Sequence, residues 1–222
     1  MVKEKNKKNI LISPSILNVP LEEVENKLKK VQKNIEYVHI DVMDGIFVDN
    51  HTDGVRMFEA AKNACDVPLD VHLMVADPEN EIEKYIGAEI ITIHIEALES
   101  EGREEEFLKI AQKIRNIGAK VGVSVRPNTK VSELTNLLEK IDLVLIMTVE
   151  PGYGGQELIV ETLDKVSELR KIGFEKIIEV DGGINLKNIS LVKQYDIDMI
   201  VAGTAVFGAT DENEAINTIK RI

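Results

Sequence analysis

The rhythm of the chain most restricts how it can fold. Eight short runs rich in Val, Ile and Leu recur: Ile10–Ser13, Tyr37–Asp41, Leu69–Met74, Ile90–His94, Lys120–Val125, Asp142–Met147, Ile177–Asp181 and Met199–Ala202. Runs of this length suit buried strands, and the stretches between them carry helical spacing. Leu21, Val24, Leu28 and Val31 share one face after Pro20, and the pattern returns in Phe107, Ile110, Ala111 and Ile114. It recurs in Val131, Leu134, Leu137 and Leu138, in Leu163, Val166 and Leu169, and in Ala215, Ile216 and Ile219. Asp77-Pro78 reads as a helix cap followed by a first-turn proline. The segments near Phe58 and Ile189 are weaker helices. Strand-then-helix repeated through 222 residues predicts an α/β fold, a single (β/α)8 TIM barrel domain over 1–222. The competitor is an open doubly wound sheet, which usually places a glycine-rich turn after its first strand. That turn is Ser13-Pro14-Ser15 here, and no G-x-G-x-x-G or Walker-type sequence occurs.

Composition narrows the partners. A formal charge of −12 repels nucleic acid and anionic membranes at long range, so neither is expected as a partner. A small phosphorylated substrate stays compatible, because a few backbone N–H groups can hold a phosphate on an otherwise acidic surface. The lone Cys65 excludes an intramolecular disulfide framework and suits a cytoplasmic setting. The lysine-rich opening, residues 1–9, is expected as a flexible tail. The apolar run after it, ILIS, is too short for a signal peptide or a membrane span.

Strand parity then singles out the chemistry. Side chains two apart on a strand share a side. In the second run Val38, Ile40 and Val42 oppose His39, Asp41 and Met43; in the third Val71, Leu73 and Val75 oppose Asp70, His72 and Met74. In the seventh, Ile178 and Val180 oppose Glu179 and Asp181. In a barrel the apolar parity packs on the helices and the polar parity points to the axis, converging at the C-terminal mouth where barrel enzymes work. Carboxylates gathered there need positive charge, since desolvation costs several kcal/mol per ion. Few Lys or Arg lie close to these motifs. His39, Asp41, His72 and Asp181 therefore make a candidate nitrogen-and-oxygen site for one divalent metal ion, Zn, Fe(II), Co or Mn. His94 fits the core or a pocket wall equally, and His51 reads as solvated.

Glycine clusters mark the other end of a substrate. GYGG at Gly152–Gly155 follows the sixth run, DGG at Asp181–Gly183 ends the seventh, and AGTAVFG from Ala202 follows the eighth. Loops after the last strands of such a barrel commonly cradle phosphate with backbone N–H groups.

SPSIL at Ser13–Leu17, VHIDVMDGIFV at Val38–Val48, DVHLMV at Asp70–Val75, ITIHIEA at Ile91–Ala97, MTVEPGYGGQ at Met147–Gln156, EVDGGI at Glu179–Ile184 and VAGTAVFG at Val201–Gly208 occur in that order. In these motifs the chain resembles the ribulose-phosphate 3-epimerase family, over nearly its whole length. The resemblance implies a cytosolic, metal-dependent barrel of the ribulose-phosphate-binding type, interconverting D-ribulose 5-phosphate and D-xylulose 5-phosphate in the pentose phosphate pathway. It implies His39, Asp41, His72 and Asp181 as metal ligands, and Asp41 and Asp181 as the acid/base pair acting through an enediolate. By the same match Ser15 and His72 would touch the substrate, while Gly152, Gly154, Gly155, Gly182, Gly183, Gly203 and Thr204 would line its phosphate end beside Asp181. Met43, Met74 and Met147 fit either core filling or a water-excluding cap over the reacting carbons. The family suggests a homo-oligomer, dimer or hexamer.

The chain departs from the usual pattern at Asp49-Asn50-His51-Thr52-Asp53-Gly54, at Arg126, at Tyr153 for phenylalanine and at Thr204 for serine. The altered loop keeps a ketohexose 6-phosphate such as allulose 6-phosphate as an alternative substrate. Decarboxylase or aldol chemistry would call for an inward lysine, which the strand-end motifs lack. A non-catalytic phosphosugar-binding barrel would have no need of two opposed carboxylates.

Overall fold

The computed structural model describes residues 9–221, so residues 1–8 of the lysine-rich opening lie outside the described residues. Eight parallel strands form one sheet: β1 (Leu11–Ser13), β2 (Val38–Met43), β3 (Leu69–Met74), β4 (Ile90–His94), β5 (Lys120–Val125), β6 (Leu143–Met147), β7 (Ile177–Asp181) and β8 (Met199–Val201). Each lies where the sequence rhythm predicts it, with ends shifted by at most two residues. The sheet order β1-β8-β7-β6-β5-β4-β3-β2 is that of a barrel. It closes between β1 and β2 through a single parallel bridge, Ser15 to His39. Pro14 cuts β1 short because it has no N–H to add to the ladder. Its carbonyl still accepts from His39 N at 3.1 Å, and Ile16 N donates to His39 O at 3.1 Å. The seam of the barrel thus falls on the strand that carries His39 and Asp41.

Helices cover the outside. They are α1 (Val24–Val31), α2 (Gly54–Ala64), α3 (Pro78–Glu81), α4 (Arg103–Asn116), α5 (Asp164–Lys171), α6 (Ile189–Val192), α7 (Gly203–Phe207) and α8 (Glu212–Arg221). The Asp77 side chain caps α3 by accepting from Asn80 N, with Pro78 in the first turn, as its sequence predicts. In α4 three glutamates open the helix and Lys113 and Arg115 close it, complementing the helix dipole. Around Phe58 the structure has a full helix, α2, capped by Asp53, whereas around Ile189 it has only the short α6.

One expected helix is corrected. Between β5 and β6 the chain forms two 3₁₀ turns, Val131–Leu134 and Leu138–Lys140. The reason lies in the spacing: Val131, Leu134 and Leu137 are all buried, and an interval of three matches the 3.0 residues per turn of a 3₁₀ helix better than 3.6. The i→i+3 bonds confirm it, Leu137 N to Leu134 O at 2.8 Å and Lys140 N to Leu137 O at 2.8 Å.

Parity behaves as expected. Val38, Ile40, Val42, Val71, Leu73, Ile178 and Val180 join the large core between strands and helices. The barrel interior is divided. Ile90, Leu143, Leu145, Met147 and Met199 form an apolar cluster on one side, while Ser13, His39, Asp70, His72 and Glu179 are buried polar groups on β1, β2, β3 and β7. Among the described residues no helix is long and apolar enough to cross a membrane.

Gly122 on β5 is demanded by a close approach inside the barrel. A Cβ there would meet Thr92 Oγ1 at 2.1 Å and the Thr92 backbone Cα at 3.1 Å, on the neighbouring strand. Gly122→Ala is expected to destabilise the protein by about 1–3 kcal/mol through overpacking, and pairing it with Thr92→Ala should recover part of that loss. Urea midpoints of the single and double variants check this.

Candidate active site

Four side chains predicted from scattered positions meet on β2, β3 and β7, with Asp181 the last residue of its strand. His39, Asp41, His72 and Asp181 each offer a ligand atom, all within 4.8 Å of one another. His39 Nε2 lies 3.4 Å and His72 Nδ1 3.3 Å from Asp41 Oδ1, and both nitrogens lie 3.9 Å from Asp181 Oδ2. The other Asp41 oxygen, Oδ2, accepts from Ser15 Oγ at 2.7 Å. The two lobes of Asp41 are thereby separated, one toward the imidazoles and one toward the β1 loop.

These residues fit a divalent cation. His39 Nε2 is buried without a hydrogen-bond partner, although buried ring nitrogens normally find one. Its other nitrogen, Nδ1, is 2.6 Å from Asp70 Oδ2, which also accepts from Ser13 Oγ at 3.1 Å. A carboxylate behind a histidine fixes the ring and directs its free lone pair forward, the usual support of a metal-ligating imidazole. His72 is held from behind as well, with Nε2 2.9 Å from His94 Nε2. Sequence reasoning noted the parity of Asp70 and Glu179 without giving them a task; the signal was the polar side chain two residues before each proposed ligand.

Charge in this volume is distributed by burial and pairing. Burial alone would raise Asp41, but His39 and His72 outweigh it and hold that carboxyl below the ordinary range. Burial would lower His39, yet Asp70 and Asp41 overcome it and push the imidazole well above its ordinary value. Asp181 is raised to about 6, first by burial and then by the charge of Asp41. Glu179 is raised well above a normal glutamate by burial and by Asp70 beside it. His94 is lowered to about 4 by burial.

Above the cluster opens a cavity of ≈ 340 Å³. Of the residues predicted for the site, Ser15, Asp41, Gly152, Gly154, Gly155, Asp181, Gly182, Gly183, Gly203 and Thr204 line it. His39 and His72 are fully buried beneath it and do not line it. Met43, Met74 and Met147 also face the cavity, and all three are almost wholly buried. At the far end the glycines are sterically required. Gly183 has φ +68°, and a Cβ there would lie 2.4 Å from Leu158 N; Gly203 approaches Ser15 O to within 3.0 Å of its would-be Cβ. Sequence reasoning missed Asn18 and Asn185, which line the same end outside any glycine cluster.

The loop after β2 closes over this arrangement. Asp44 accepts from Ile46 N, Phe47 N and Ala76 N, and Asn50 Nδ2 donates to Gly152 O at 2.8 Å. Gly152 lies in the loop after β6, so the two loops are tied together beside the cavity.

A profile of the ribulose-phosphate 3 epimerase family matches residues 11–207. The chain belongs to the ribulose-phosphate 3-epimerase family. It is 40% identical to the chloroplastic ribulose-5-phosphate-3-epimerase of Arabidopsis thaliana over 222 residues, covering 97% of this chain and 78% of that one. It is 39% identical to the ribulose-phosphate 3-epimerase of Bacillus subtilis over 219 residues, covering 95% and 98%. Among solved structures, KGPDC from Streptococcus mutans aligns with TM-score 0.74 over 96% of both chains, at 15% identity. At that identity the likeness is one of fold. The departures from the family's usual motifs take definite places: Tyr153 is 58% exposed, Thr204 lines the cavity, and the Arg126 guanidinium stacks 4.2 Å from the Phe47 ring centroid while donating to Phe47 O at 2.9 Å.

A raised carboxyl value has a consequence for stability. Between about pH 4 and pH 6 folded Asp181 keeps a proton that the unfolded chain releases, so its destabilising effect grows with pH and is complete above about 6. In the metal-free protein Asp181→Asn is expected to be more stable than its parent by about 1–3 kcal/mol at pH 7.5. That gain should be absent at pH 4; denaturant unfolding in a chelating buffer at both pH values measures it.

Proposed function

We propose that this chain interconverts D-ribulose 5-phosphate and D-xylulose 5-phosphate by inverting carbon 3, with Asp41 and Asp181 as the two proton-transfer groups. Epimerisation is the activity of the family to which it belongs. The observation that carries the assignment of residues is the pairing of two carboxyls from separate strands, Asp41 held low and Asp181 raised to about 6, over one cluster of ligand atoms. Environments that push two carboxyls apart make one a ready base and the other a proton carrier.

Inverting a carbon centre requires removing its proton from one face and delivering another to the opposite face. Asp41 comes from β2 and Asp181 from β7, which in the closed ring are separated by β1 and β8, so the two carboxyls approach the cavity from different sides. Ser15 holds Asp41 Oδ2 at 2.7 Å and so orients the base. His39, Asp41, His72 and Asp181 would hold the divalent ion. When bound, that ion supplies Lewis-acid stabilisation of the negative charge that develops on the substrate oxygens as the C3 proton leaves. Met43, Met74 and Met147 exclude water from the reacting carbons. Backbone N–H groups at Gly183, Gly203 and Thr204 would receive the phosphate, since the first N–H groups of α7 have no partner within the helix. The half-buried single thiol, Cys65, accords with a reducing cytoplasm, and the loop glycines with a phosphorylated ketose as the small-molecule partner.

Incubation with ribulose 5-phosphate in D2O tests the reaction. Deuterium is expected at C3 only, with exchange abolished by a chelator and restored by added Zn, Mn, Co or Fe(II); no C3 exchange after metal is restored would refute it. Asp41→Asn and Asp181→Asn should each lower kcat by about 10²–10⁴ while remaining folded, as expected for a lost proton-transfer group. A higher kcat/KM for allulose 6-phosphate than for ribulose 5-phosphate would overturn the choice of substrate.

A further inference from the structure

Glu96 lies outside the cavity lining, yet it ends a hydrogen-bonded chain that begins at a proposed metal ligand. His72 Nε2 is 2.9 Å from His94 Nε2, and His94 Nδ1 is 3.0 Å from Glu96 Oε2. The remaining Glu96 oxygen, Oε1, accepts from Arg126 N at 2.7 Å. Both histidines are fully buried, and their rings stack at 4.9 Å between centroids, 28° from parallel. Phe47 also packs against His94, at 4.8 Å between ring centroids.

The proton positions in this chain follow from its end. A carboxylate only accepts, so the His94 nitrogen facing Glu96 must carry hydrogen. A neutral His94 is then bare at Nε2, and the facing His72 nitrogen must donate to it. A proton on His72 Nε2 leaves Nδ1 as the ring's ligand position: Nδ1 lies 3.3 Å from Asp41 Oδ1 and 3.9 Å from Asp181 Oδ2, and a cation taken up there replaces any hydrogen those carboxylates hold on it. We propose that Glu96 is a positioning residue for the metal centre: acting through His94, it sets the His72 tautomer that leaves Nδ1 open to a divalent cation. The inference rests on the metal-site reading given above.

The two Glu96 contacts give the idea a sharp consequence. Both require an acceptor, and the Arg126 N–H is a backbone donor with no alternative role. Thr129, beside Glu96, carries a hydroxyl that can donate or accept and so imposes nothing. In Glu96→Gln the amide oxygen can serve Arg126 N–H or His94, but not both. With the oxygen on the backbone, the NH2 group faces His94 Nδ1 and demands that it be bare. The chain then inverts: His94 donates from Nε2, His72 accepts at Nε2, and the His72 proton moves to Nδ1, where it blocks the ligand position. The isosteric amide is thus the damaging change, whereas Glu96→Ala leaves His94 free to keep its original tautomer.

The test uses the full-length protein labelled with ¹⁵N on histidine. Long-range ¹H–¹⁵N spectra of the metal-free parent should show His72 and His94 protonated on Nε2 and Nδ1, respectively, and Glu96→Gln should show the reverse. Titration with Zn2+ against a chromophoric chelator should show Glu96→Gln binding about 10–100-fold more weakly than the parent, the usual loss when the outer partner of a ligand is changed, and more weakly than Glu96→Ala. Parent tautomers opposite to those stated, or an unchanged Zn2+ affinity in folded Glu96→Gln, would overturn the proposal. The parent spectrum decides the first point even if the variant does not fold. A parent that binds no divalent metal while showing the stated tautomers would instead defeat the metal-site reading and leave the hydrogen-bond chain standing.

Discussion

Buried negative charge on one half of the barrel axis is the constraint to which the rest of this molecule answers. Asp41, Asp70, Glu179 and Asp181 stand together on β2, β3 and β7, and Asp70 and Glu179 are fully buried. Each ionised carboxylate removed from water costs several kcal/mol unless it is paired. The structure meets that cost in three ways. His39 and His72 face Asp41, serine hydroxyls donate to Asp41 and Asp70, and Glu179 is held toward its neutral form by burial and by Asp70. What remains least compensated lies at the top of the barrel, where Asp181 borders the cavity.

The same constraint accounts for the apolar surroundings. The strand faces turned toward the helices are aliphatic without exception on β2 and β3, and the opposite half of the barrel interior is filled by Ile90, Leu143, Leu145 and Met199. Such packing leaves the polar side chains little freedom to swing into water. Above them the chain after β2 is held by its own hydrogen bonds: Thr52 Oγ1 donates to Asp41 O and accepts from Met43 N. The strand that carries one proposed proton-transfer group is thereby tied to the loop that covers it, and Asn50 extends the tie to the β6 loop. An arrangement of this kind keeps reacting groups in place at no reorganisation cost during the reaction.

Much of this is legible in the sequence. β3, β4, β5 and β7 begin and end where the rhythm places them. The four candidate ligands were legible because parity is a strict geometric rule in a strand. Parity says nothing beyond a strand's end, which is why Glu96 escaped notice. The chain turns into a 3₁₀ segment at Ile95–Ala97, so a residue two after His94 meets its ring from the side. Asn50 and Gly152, 102 positions apart, form a contact that only the closed barrel creates. The 3₁₀ turns before β6 were missed for a different reason, since an apolar interval of three is compatible with both helix types until burial shows which residues face inward.

The two imidazoles of the candidate metal centre are supported unequally, and the difference has chemical content. His39 rests directly on a carboxylate, Asp70 at 2.6 Å, which increases the basicity of the ring. That is why, without an ion, the neighbouring acids draw a proton onto His39 despite complete burial. A cation entering the cluster must displace that proton, so its binding is coupled to pH. His72 rests on a second imidazole, His94, which burial keeps neutral, and only beyond it lies the carboxylate of Glu96. The intervening ring transmits direction without placing a full negative charge against the ligand. One ligand is therefore made strongly basic and the other is oriented without added charge, which limits the acid gathered around a centre that already holds Asp41 and Asp181.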